Sequence, residues 1–177
     1  MGDNRGVTLV ELIVVILIMG ILSGSAVIGY RSLDSGNAKA TVTRISALLD
    51  YVQVENMCMD KNYYLVIEKQ GTSFTAKVQY EVSGVRTDIL KETLKLKEGK
   101  ITYYSQDSFL ENRYIVDDTT TPVRTLEISC LKASGAFRSK DMNGDGLEED
   151  LKRIEITSAG RQFTIYLVTE TGKHYIK

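Results

Sequence analysis

Tryptophan is absent from the 177-residue chain, proline and histidine occur once each, and cysteine occurs twice. Each scarcity closes off a class of function. His174 has no second histidine and no ligand set near it in sequence, so it reads as a structural residue rather than a metal ligand. There is no serine nucleophile elbow. Gly172-Lys173 lacks the preceding glycine of a phosphate loop and is followed by histidine, so it is no P-loop. On these grounds the chain is expected not to be an enzyme. Charge of one sign is also missing: 22 Lys and Arg face 23 Asp and Glu, a net charge of −1. That balance excludes a binder relying on bulk attraction to phosphate, so no nucleic acid is expected on the head. No long basic block marks an anionic-lipid patch. The two cysteines, Cys58 and Cys130, are an even pair. Outside the membrane they could form a disulfide, and two unpaired buried thiols are the alternative, because spacing alone does not show that their Cα atoms approach.

What the chain has in quantity is one apolar run. From 7 to 22 every residue is apolar or small except Thr8 and Glu11, and the run extends to Tyr30. A helix needs roughly 20 apolar residues to cross a bilayer core, so the run has spanning length. An acid within it is costly, about +2.5 to +3.5 kcal/mol at a helix centre. Glu11 therefore calls for a partner; snorkelling to the interface is the simpler alternative. Gly20 and Gly24 form a small-xxx-small pair that suits close helix approach, or they merely loosen the helix. The polar start is short, with Arg5 its one basic side chain. Ser23-Gly24-Ser25-Ala26 mimics a signal-peptidase site, but Glu11 and the apolar residues beyond Ala26 argue against an ordinary secretory signal.

Gly6-Val7-Thr8-Leu9-Val10-Glu11-Leu12 resembles the processing motif of type IV prepilins and type II secretion pseudopilins. The resemblance covers roughly the first thirty residues. It implies cleavage between Gly6 and Val7 by a prepilin peptidase that also methylates the new Val7 amine. It implies other pilin or pseudopilin subunits, a membrane assembly platform and the lipid bilayer as partners. The location implied is a single pass through the inner membrane, with the head outside the cytoplasm and assembly into a pilus or pseudopilus. Two departures, Val7 where the family usually has phenylalanine and the absence of a kinking proline in the run, favour a minor or divergent subunit. A free α-amino group ordinarily titrates near pH ~8, so it is largely protonated at neutral pH. Glu11 could pair with the Val7 amine of a neighbouring subunit and fix the stagger between helices.

The remainder divides into an amphipathic second half of the helix, 31–62, and a β-rich head, 63–177. The polar stretch 32–37 could bend or cap the helix. From Ala38, Val42, Ile45, Leu49 and Val52 make one apolar stripe, with Leu48 and Met59 near it and a wet opposite face. Strands are expected at 63–69, 74–82, 89–96, 101–104, 123–131, 151–157, 162–169 and 174–176, with 106–121 a long polar loop. The tyrosine pairs 63/64 and 103/104 should each put one ring in and one out. The fold class is thus α+β: a long N-terminal transmembrane and stalk helix packed on an antiparallel sheet, pilin-like. The closing order of strands, with turns at Ser134-Gly135 and Thr171-Gly172-Lys173, resembles the GspH/FimT group of minor pilins.

Asp141, Asn143 and Asp145 follow the opening of an EF-hand calcium loop. They would be side-chain ligands for calcium, a cation that takes six to eight oxygens. The closing glutamate would fall at Lys152, and Glu148, Glu149 or Asp150 would have to substitute. The alternative is an Asn-Gly and Asp-Gly turn on a solvated loop.

Overall fold

One helix, α1 (Leu9–Cys58), supplies the long axis of the molecule. At 1.5 Å per residue its 50 residues reach ~75 Å. The computed structural model describes residues 9–96, 99–106, 111–119, 125–140, 148–158 and 160–177, but not the side chains of 22 and 24–35. The leader, 1–6, lies outside them. The helix runs unbroken through 32–37, so the polar stretch neither caps nor ends it.

Ten antiparallel strands follow among the described residues. They are β1 (Asn62–Gln70), β2 (Ser73–Val82), β3 (Val85–Leu94), β4 (Lys100–Gln106), β5 (Glu111–Ile115), β6 (Leu126–Cys130), β7 (Phe137–Lys140), β8 (Glu148–Ser158), β9 (Arg161–Leu167) and β10 (His174–Ile176). The main path runs β10-β9-β8-β7-β6-β1-β2-β3, and β4 joins β8 with β5 outside it. The α+β expectation holds at this level: a helix packed on an antiparallel sheet. The 106–121 loop expectation does not, because β5 lies within it. Tyr114 is the reason. It packs under the sheet and stacks on Tyr103 with ring centroids 5.1 Å apart, while its strand neighbours face outward at an edge.

β8 is shared between two arms of the sheet. Residues 148–150 pair with β7, residues 153–158 pair with β9, and β4 lines the opposite edge from 150 to 157. The register shifts where Tyr104 faces Arg153 and Ser105 faces Leu151, which leaves Lys152 as an extra residue. That bulge keeps Glu149 and Leu151 on the same face as Ile154 and Ile156. All four are buried.

Beneath the sheet lies the core. Ala38, Val42, Ile45, Leu48, Leu49 and Val52 of α1 pack on Leu65, Ile67, Phe74, Val78, Ile101, Tyr103, Leu126, Ile128, Phe137, Leu151, Ile154, Ile156 and Ile165. The predicted stripe is the one buried, except that Met59 lies past the helix end and is exposed. The tyrosine pairs split as the pleat requires. Tyr63 and Tyr103 are buried, Arg86 covers the ring of Tyr64 at 4.4 Å, and Arg153 covers that of Tyr104 at 3.8 Å.

Candidate assembly surface

The first described turns of α1 bury nothing within the chain. Between Leu9 and Ile21 the large apolar side chains are 47–77% exposed. Such a surface on a soluble monomer is far larger than a single scattered leucine and marks an interaction site. Glu11 is the one charged residue between Leu9 and Ile21. A Cβ placed on Gly20 would meet nothing within 4 Å, so this face is open to close approach. Gly6 and Val7 lie outside the described residues. Among the described residues no helix is long and apolar enough to cross a membrane. The run expected to do so continues past Ile21 into side chains that are not described.

The second half of α1 is fixed to the head by polar clamps that sequence reasoning missed. Asn56 is buried at the turn into β1. Its Nδ2 donates to the carbonyls of Val52 (3.0 Å) and Tyr63 (2.8 Å), and its Oδ1 accepts the Tyr63 N–H (3.0 Å). Asn56 thereby acts as a backbone partner for the start of β1. The amide of Gln53 donates to the carbonyls of Gly135 (3.0 Å) and Thr171 (3.4 Å). The turn at 134–135 and the turn at 171–172, far apart in sequence, thus meet under the helix. Gly172 has φ +64°, and a Cβ on it would sit 1.7 Å from the Gly135 carbonyl oxygen. Only glycine fits there. A tight turn was legible in Thr171-Gly172; its contact with the other turn was not.

His174 takes the structural role expected of it. Its Nε2 lies 2.9 Å from Ser46 Oγ, 3.2 Å from the Ser46 carbonyl and 3.6 Å from Asp50, and Phe137 packs edge-on against its ring. It joins β10 to α1. The two cysteines are free thiols, Cys58 exposed and Cys130 buried. The disulfide left open by the sequence is therefore not formed in this structure, and neither is the picture of two buried thiols. Burial pushes the Cys130 thiol up to about 11, which keeps it protonated and unreactive at neutral pH.

Asp141, Asn143 and Asp145 lie outside the described residues. The carboxylates that would complete a calcium loop after them are committed elsewhere. Glu148 accepts from Ser129, Glu149 from Ser105 and Asn112, and Asp150 faces Arg138 at 3.5 Å. Lys152, at the closing position, reaches Thr169. Among the described residues no group of three or more His, Cys, Asp or Glu could hold a metal ion.

The arrangement is thus a folded head on a helix whose large apolar side chains from Leu9 to Ile21 are exposed. Residues 1–27 match the prokaryotic N-terminal methylation motif. The match supports the resemblance to type IV prepilins and pseudopilins over this segment. No curated protein and no solved structure matches the chain.

Proposed function

We propose that this chain is a prepilin-like structural subunit, minor rather than major, of a type IV pilus or type II secretion pseudopilus. It is cleaved after Gly6, methylated at Val7 and assembled through α1. It acts by polymerising, not by catalysis. Before assembly it crosses the inner membrane once, through 7–30, with the head outside the cytoplasm. Its partners are the prepilin peptidase and methyltransferase, other pilin or pseudopilin subunits and the membrane assembly platform. Within that class we place it in the GspH/FimT group of minor pilins, on the resemblance of its closing sequence.

One observation carries this reading. The helix is continuous, yet its described apolar residues before Ser23 are exposed while its second half is built into the head core. A helix of that kind stores a hydrophobic surface for lipid first and for sister helices afterwards. Glu11 supplies the charge that a neighbour's Val7 ammonium would neutralise.

N-terminal sequencing with intact mass of the mature protein tests the proposal. The expected product starts at a methylated Val7. An intact Met1 would instead mean a single-pass protein with a non-polymerising, ligand-binding head. A start near Ala26 or Val27 would mean a secreted enzyme with an unusual signal.

A further inference from the structure

The outer side of α1 in the head is not the wet face that its charges suggest. Ala40, Ala47, Tyr51 and Val54 fall on a second stripe, beside the buried one, and Tyr51 and Val54 are exposed. Ala40, Ala47 and Tyr51 of this stripe line one wall of a groove, and β3, an edge strand, lines the other. Two adjoining hollows make up the groove. One, of about 320 Å³, is lined by Arg44, Ala47, Leu48, Tyr51, Ile89 and Leu90. The other, of about 220 Å³, is lined by Ala40, Thr41, Arg44, Glu92, Leu94 and neighbours. Thr41 Oγ1 is buried in that wall with no hydrogen-bond partner among the described residues. Ile89 is the extra residue where the β2–β3 register shifts, and it stays 44% exposed.

Arg44 lies where the hollows meet. Its Nε bonds Glu92 at 2.5 Å, and its side chain is 48% exposed. That bond uses one of the five N–H donors of a guanidinium, so a second carboxylate can be taken. The groove therefore asks for an apolar occupant carrying one acid. Residues 9–21 of this chain have that chemistry: an exposed apolar helix whose one charge is Glu11.

We propose that the α1–β3 groove receives residues 9–21 of a second copy, with Glu11 of that copy reaching Arg44. Copies related by a shift along a common axis run parallel. Setting Glu11 opposite Arg44 fixes the shift at about 33 residues, or ~50 Å. It places Val14 and Val15 beside Ala47 and Leu48, and Ile18 beside Tyr51. The small Ala40 and Ala47 let the visiting helix come close. A carboxylate accepts several hydrogen bonds, so Glu11 can hold Arg44 of one neighbour and a terminal amine of another. The contact is head-to-tail, with a different surface of each copy in it. This rests on the polymerising function proposed above and names the surface on which it acts.

The test is oxidative cross-linking of the full chain in its native membrane or filament fraction. Cys58→Ser and Cys130→Ala remove the native thiols, and Ile18→Cys with Ile89→Cys supplies the probe pair. The expected result is a disulfide between copies, absent when Lys140→Cys replaces Ile89→Cys. Arg44→Ala, in a chain whose head melts normally, should lower the yield by about tenfold or more, as expected when one partner of a desolvated charge pair is removed. Filaments that carry methylated Val7 but give no 18–89 disulfide would overturn the docking and leave the polymer reading standing. A cross-link in a protein that keeps Met1 would do the reverse. An unchanged yield in Arg44→Ala would overturn the charge pairing.

Discussion

The two halves of α1 differ in apolar content and in fate: 11 of the 13 residues from 9 to 21 are apolar, against 9 of the 15 from 38 to 52. Between 9 and 21 the apolar residues follow no helical period, and all of the large ones are exposed. Between 38 and 52 they recur at spacings of three and four, and that stripe is fully buried. The difference shows that composition sets whether a helix leaves water, whereas period sets what it packs against. A helix apolar all round has no preferred side and suits a lipid or multi-helix environment. A striped helix commits to one surface, here the head's own sheet. The groove beside β3 is a third condition: a second stripe that the head leaves uncovered.

Paired truncations in the two halves give the sharpest break of this comparison. Leu49→Ala should lower head stability by ~3–5 kcal/mol, the cost of emptying a close-packed core position. Leu12→Ala should leave head stability unchanged, since that side chain is 54% exposed. Thermal unfolding of both variants checks this, and equal losses would erase the distinction. Next in size is Gly172→Ala. The left-handed φ and the meeting with the Gly135 carbonyl should together cost at least ~2 kcal/mol. Chemical denaturation measures it, and a neutral result would mean that the two turns do not touch. Smallest is Asn56→Ala, expected to cost ~1–3 kcal/mol by leaving buried backbone groups of β1 unpaired. Hydrogen exchange at Tyr63 should rise selectively; uniform exchange across β1 would refute the clamp.

Much of the fold was legible because it rests on local period. Val42, Ile45, Leu49 and Val52 declared the buried face of α1, and strand alternation located most of the sheet. Glycine turns at 71, 84, 160 and 172 declared themselves, and each has the positive φ that a tight turn needs. Misses came where long-range contact decided the outcome. β5 looks polar because one face is at an edge, and its burial depends on Tyr103 from another strand. The Lys152 bulge shifts the alternation of β8, so the strand begins earlier than a strict period of two suggests. Tyr51 and Val54 went unnoticed among Lys39, Arg44, Asp50 and Glu55, because charges on a helix face hide a narrow apolar stripe between them. In the candidate surface, Glu11 was legible as an acid among apolar residues, while Arg44 gained meaning only once β3 lay beside it. Asn56 and Gln53 gave no local signal, because each acts on a segment brought near by folding; Gly135 was legible as a turn, but its meeting with Gly172 was not.

The forked strand β8 has a mechanical consequence. One arm of the sheet leaves it through β7 and the other through β9, and the helix grips both: Gln53 holds the Gly135 and Thr171 turns, while His174 holds β10. Asn56 adds a third anchor at β1. Tension applied along the helix axis therefore enters the head at several strands at once. No single hairpin bears the load alone, and the head resists being unzipped from either edge.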